Sequence, residues 1–206
     1  MSKTTERISI RKITFISLLA AISWVLMLLD FPIPIFPTFL KFDLSDIPSL
    51  IASFSMGPMV GVVVQLIKNL LHLLVTHTAG VGELANFLIG VALVLPAGMV
   101  YKVNRTKSGA LIGMLLGTLF TGIVGGLANY FILIPFYAKM MPIESIIAMC
   151  AKIIPSIDSL FKVVLLSIVP FNIFKGLIIS AITFLLYKKL TPIINWVYKK
   201  VGSNKA

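Results

Sequence analysis

The sequence is poor in what soluble enzymes use. Of its 206 residues seven are acidic, two are histidine and one is cysteine. A single Cys150 permits no internal disulfide, and neither it nor His72 and His77 falls into a metal-ligating spacing. The two histidines, five residues apart, share a helical face poorly, and His77 reads as a solvated loop residue. Gly-x-Ser-x-Gly, His-Glu-x-x-His and Gly-x-x-x-x-Gly-Lys-[Ser/Thr] are all missing, which leaves no nucleophile elbow, zinc-protease helix or phosphate-binding loop. Charge is scarce too, at 12% of residues against about 25% in globular domains.

What fills the chain instead is apolar: 58% hydrophobic residues and a mean hydropathy of +1.04. Repeated long apolar runs with no strand-like alternation require helices, because backbone groups facing lipid must be satisfied within the segment. At about 20 residues per crossing, the length accommodates six spans and no separate soluble domain. The expectation is one all-α integral-membrane domain over residues 1–206 with six transmembrane helices.

Residues 1–12 are basic and lead into the run Ile13 to Leu29. The run is long for a signal core, and Leu29-Asp30-Phe31-Pro32 offers no cleavage site, so it reads as an uncleaved first span. Three prolines in six residues, at 32, 34 and 37, then break the helix within a segment rich in Phe, Ile and Leu. Such an apolar loop either lies in the interface or covers an apolar cavity as a lid. A short helix is expected over Asp46 to Met56, opened by Ser45 or Asp46 with Pro48 in its first turn. The third span, Met59 to Val75, carries Gln65, Lys68, Asn69 and His72 at i, i+3, i+4 and i+7. This polar stripe suits a ligand or bonds between helices.

The fourth span runs from Glu83 to near Tyr101, and the fifth, Ala110 to Ile134, contains Gly113-x-x-x-Gly117 and Gly122-x-x-x-Gly126 for close helix approach. Residues 138 to 168 read as a connection holding an amphipathic piece, Ile143 to Ile153, and an apolar piece, Leu160 to Ile168. The last span, 170 to 187, begins Pro170-Phe-Asn-Ile-Phe-Lys-Gly176. Asn172 and Lys175 share a face there, with Lys175 roughly 8 Å below the start of the run. A lysine so placed either serves a site or snorkels to the interface.

Of the 18 Lys and Arg, 12 fall on the side of the N-terminus. Lys41, Lys139, Lys152 and Lys162 fall on the other, and Lys68 and Lys175 lie within spans. Segments 1–12 and 189–206 are therefore expected to be cytoplasmic. The apolar loop, Glu83, Asn86, Asn129, Tyr130, Asn172 and Lys175 then converge on the outer half of the bundle. Sparse donors and acceptors among aromatics suit a flat heterocycle with a hydroxylated tail better than an ion path.

The run from Phe42 to Gly61, with Lys68-Asn-Leu-Leu-His72, Gly82-Glu-Leu-Ala-Asn-Phe87, Asn129-Tyr130 and Pro170 to Gly176, closely resembles the riboflavin-specific substrate-binding subunit (S component) of bacterial energy-coupling-factor transporters. The resemblance covers residues 13 to 188. It implies a subunit of the bacterial cell membrane that captures riboflavin from outside, beneath the loop after the first helix, as transported substrate and with no cofactor. A transmembrane coupling subunit and two cytoplasmic ATPases would supply the energy, with toppling in the membrane. By motif position Asn129, Asn172 and Lys175 would bond the isoalloxazine edge. Glu83 and its neighbours would take the ribityl end, and Phe39 and Leu40 would cover the ring. Asp43, Gly82, Leu84 and Asn86 complete the implied set. The family's Ala-x-x-x-Ala docking pattern is met here by Ser17-x-x-x-Ala21, with Ala20 beside it and Trp24 where Ala20 would want a partner. Other readings of the same pocket are an S component for another flat vitamin, or an integral-membrane enzyme or scaffold.

Overall fold

The computed structural model describes residues 10–202, and of residues 11, 187–191 and 193–202 the backbone alone. Lys3, Arg7 and Lys205 of the expected cytoplasmic ends lie outside the described residues, as do the side chains of Trp196, Lys199 and Lys200.

Seven helices form, where six were expected. They are α1 (Ile10–Leu28), α2 (Asp46–Met56), α3 (Pro58–His72, extended by a 3-10 turn, Leu73–Val75) and α4 (Val81–Val103). Then come α5 (Lys107–Ala128, a π turn at Asn129–Leu133, then Ile134–Tyr137) and α6 (Ile143–Ala151). Last is α7 (Leu160–Val163, a π turn at Val164–Ile168, then Val169–Gly202). Among the described residues four segments are long and apolar enough to cross a membrane: Pro58–Val75, Val81–Val103, Lys107–Tyr137 and Leu160–Leu186. The additional helix is α6, the amphipathic piece already visible in the connection.

The last span begins at Leu160 rather than Pro170, and Leu160 to Ile168 belongs to it. The reason lies in two prolines. Proline lacks an N–H and its ring collides with the carbonyl four residues back. Pro135 and Pro170 each stand two residues beyond a π turn, so their i−4 residues, Phe131 and Leu166, lie inside the wide turn. There the Ile134 and Val169 N–H groups bond carbonyls five residues back, at Asn129 and Val164. The widened turn absorbs the ring, and both helices continue. Lys175 consequently lies about 22 Å from the start of a 27-residue span, too deep to snorkel at that end.

Helices in lipid gain nothing by burying leucine against leucine, so close packing decides their association. The α5 glycines provide it on two faces. A Cβ on Gly113 or Gly117 would stand 2.7 Å from Ala97 O or 2.4 Å from Leu93 O of α4. A Cβ on Gly122 or Gly126 would meet Ile173 at 2.7 Å or Val169 at 2.9 Å on α7. Only glycine lets these backbones approach. Short α2 is wedged among α3, α4 and α7, where Leu50 and Phe54 join Leu93, Met114 and Ile179 in the main core.

The segment after α1 closes on itself. Strand β1 (Phe31–Pro32) pairs antiparallel with β2 (Lys41–Phe42), Phe31 opposite Phe42 with rings 5.5 Å apart. Lys41 also pairs with Asp30 at 3.1 Å. Phe36 turns inward onto Phe171 and Phe174, at 5.2 and 5.6 Å. Leu40 and Phe42 are buried over Ile134, Ile146 and Phe171, whereas Phe31 and Ile35 face outward. The loop is thus packed across the bundle end by its inward face, which matches the lid alternative.

Candidate functional site

Beneath that loop lies a cavity of about 590 Å³, walled by the ends of α1, α3 and α4, the π turn of α5, helix α6 and the middle of α7. The size suits one drug-sized ligand. Phe39, Leu40, Gly82, Glu83, Asn86, Asn129, Asn172 and Lys175 all line it, so residues from four separate elements meet as expected. Two expected residues stand apart. Leu84 is 50% exposed and outside the lining, because it falls on the opposite face of the first turn of α4. Asp43 is buried behind the wall, held to Lys175.

The asparagines are oriented by their own helices. Asn129 Nδ2 donates to Gly125 O at 2.8 Å, and Asn172 Nδ2 donates to Ile168 O at 2.9 Å. Only the NH2 end of an amide can satisfy a carbonyl, so each Oδ1 is left as an acceptor with one further N–H beside it. Gly125 makes the room: a Cβ there would stand 2.6 Å from Asn172 Cγ. Lys175 Nζ donates to Asp43 Oδ2 at 2.7 Å and lies 3.8 Å from Asp46 Oδ2. Donors and acceptors therefore alternate along one end of the cavity.

At the other end Glu83 is fixed by three contacts. His72 Nδ1 is 2.9 Å from Oε1, and Thr78 Oγ1 donates to Oε2 at 2.9 Å. The Thr78 hydroxyl in turn accepts from Gly82 N at 3.0 Å, and a Cβ on Gly82 would fall 2.6 Å from that oxygen. Gly82 thus shapes the α3–α4 turn around Thr78. Contrary to the solvated-loop reading, His77 also stands at the cavity wall.

The polar stripe on α3 divides. His72 reaches the cavity, whereas Gln65 and Lys68 turn to Asp46, at 2.8 and 2.6 Å, in the contact between α2 and α3. The pairing of Asp46 with Lys68 escaped the sequence reading, although an acid opposite a basic stripe, 22 residues away across a tight turn, was the available signal. Tyr137, Met149 and Phe171 add walls that were not anticipated; the apolar face of α6 hinted at Met149.

On α1, Ser17 and Ala21 are exposed with Leu18, Ile22 and Val25. Ala20 is not available for docking. It is 1% exposed, packed among Ala52, Val60 and Val64, because it lies on the face turned toward α2 and α3.

A family model described as "ECF transporter, substrate-specific component" matches residues 11–187. The riboflavin transporter RibU of Staphylococcus aureus (strain TCH60) is 38% identical over 180 residues, 87% of this chain and 90% of that one. The riboflavin transporter FmnP of Bacillus subtilis (strain 168) is 34% identical over 186 residues, 89% of this chain and 93% of that one. A solved structure of the S component of a bacterial ECF transporter, 37% identical, superposes with a TM-score of 0.71 over 89% of this chain and 97% of the other.

Proposed function

This chain belongs to the substrate-specific components of ECF transporters, and on that premise we propose that it captures riboflavin for uptake as a multi-pass protein of the bacterial cell membrane. The observation that carries the reading is the split polarity of the cavity. Asn129, Asn172 and Lys175 offer alternating donors and acceptors at one end, fitted to the carbonyls and ring nitrogens of isoalloxazine. Glu83 with Thr78 and His72 offers hydroxyl partners at the other, fitted to a ribityl tail. Phe39 and Leu40 would cover the ring from the loop side, and Gly82 and Asn86 would border the tail. Asp43 would act through Lys175, and Leu84 would take no part.

Six of the seven helices, all but α6, would lie in the bilayer, with α2 as a short member. The cavity opens on the side of Lys41, opposite the basic ends of α1, α4 and α5, and the excess of Lys and Arg places that basic side in the cytoplasm. Both termini would then be cytoplasmic and the cavity would face outward. The exposed Ser17–Ala21 face of α1 would meet a transmembrane coupling subunit, and two ATPase subunits would supply the energy that no motif in this chain provides.

Protein purified in detergent should be yellow with flavin absorbance, and free riboflavin should lose fluorescence in a saturable titration. Protein that carries no flavin and quenches none refutes the assignment. Competition by another flat vitamin that outbinds riboflavin would shift it to a different substrate within the family.

A further inference from the structure

The geometry points to a positioning layer behind the cavity wall: Lys68 and Asp46, which line no part of the cavity, aim the Lys175 ammonium into it and cancel its charge. This rests on the reading of the cavity as a flavin site. An ammonium has three donors and no acceptor. Lys175 gives one donor to Asp43 Oδ2 at 2.7 Å and faces Asp46 Oδ2 at 3.8 Å. Both carboxylates come from the stretch that opens α2, so the remaining donor is left for the cavity that Lys175 lines.

Asp46 keeps Oδ2 available because its other oxygen is occupied twice, by Lys68 Nζ at 2.6 Å and Gln65 Nε2 at 2.8 Å. Lys68 is 0% exposed and is anchored by Ser45 Oγ at 2.7 Å, while the Ser45 N–H holds Asp43 Oδ1 at 2.9 Å. One serine therefore links both carboxylates. Two ammoniums and two carboxylates balance in a buried cluster, where an unpaired charge is costly. The wall presents a strong donor without net charge, which selects an uncharged heterocycle over an anion. Removing Lys68 leaves Asp46 with Lys175 as its remaining cation among these groups. The 3.8 Å gap then closes as Lys175 turns away from the ligand.

Riboflavin titrations on the full chain test this with wild type, K68M, D46N/K68M, D43N/K175M and D43N/K175M carrying K68M, each first checked for a cooperative melt. K68M should weaken binding about tenfold from a position that touches no ligand, within the range of coupling between neighbouring charges. On the D43N/K175M background K68M should change affinity no further. D46N/K68M, which restores the balance, should lose less than K68M alone. A mutant that merely loosens the fold would lower the melting temperature without this dependence on Lys175. Folded K68M that binds as wild type, or losses that multiply on the D43N/K175M background, would overturn the inference. Should K68M not fold, isosteric D46N replaces it against the same background, and multiplying losses overturn the inference there too. Wild type that binds no riboflavin would refute the flavin reading itself, which separates the two failures.

Discussion

Gly125→Ala should separate binding from folding. The added Cβ would stand 2.6 Å from Cγ and Nδ2 of Asn172 and 2.9 Å from its Oδ1. To reach ordinary contact the carboxamide must retreat by about 1 Å. The obstacle is the tip of a side chain, so a rotamer change relieves it and α5 and α7 need not part. The retreat takes Asn172 off Ile168 O, 2.9 Å away in the native arrangement, and swings Oδ1 from the cavity. A lost neutral hydrogen bond costs about 0.5–1.5 kcal/mol, and an off-rotamer side chain costs a similar amount. Together these give about 1–3 kcal/mol, or a rise in riboflavin Kd of about 5- to 150-fold. Gly117→Ala is the control. Its Cβ would meet the backbone carbonyl of Leu93 at 2.4 Å, which no rotamer can move. That variant should lose about 1–3 kcal/mol of stability, a drop of several degrees in Tm, while its folded fraction still binds. Fluorescence titration and ligand-free thermal unfolding of the same samples decide. G125A that binds as wild type, or that melts as early as G117A, refutes the reasoning.

Lys175→Met should cost about 3–5 kcal/mol of stability, because Asp43 is left buried without its cation. D43N/K175M should recover much of that while riboflavin affinity stays down by at least about tenfold; melting temperatures and titrations on both variants read this out. His72→Ala releases one side of Glu83 and should weaken riboflavin about three- to tenfold while leaving lumichrome, which lacks the ribityl tail, unaffected. Equal losses for the two ligands would contradict the tail assignment. Cys150 is fully buried in α6, and burial pushes its thiol above the usual range. Maleimide should therefore label the folded protein at least about a hundredfold more slowly than the denatured chain.

Much of this was legible in the residues. Helix α2 has the bounds its Ser45-Asp46 start and Gly57-Pro58 turn announced, Gly57 having φ 104° at the junction. The glycine spacings on α5 read correctly as close contacts because they are steric statements that need no partner sequence. The cavity residues came from motif resemblance and from a shared level in the topology. What failed did so for physical reasons. Pro170 looked like a helix start because proline is favoured there, and nothing local announces that a preceding π turn will carry the helix through. Asp46 and Lys68 are both visible, but their pairing depends on how α2 folds back on α3. Ala20 and Leu84 were drawn in by position along the chain, whereas the rotation of a helix decides which neighbours share a face.

The paired π turns also fix the spelling length of two helices. A π turn holds one residue more than a regular turn requires. Deleting a single residue from Asn129–Leu133 would let α5 close regularly, yet it would rotate everything beyond by about 100° and return the Pro135 ring to the carbonyl it now avoids. The wide turns of α5 and α7 pack against each other, so shortening one throws it out of phase with its neighbour. The stretch 152–159 between α6 and α7 can absorb insertions and deletions by re-forming a loop. Within the two turns such changes fit only as a matched pair, which makes them the positions where related chains and engineered variants should keep their residue count.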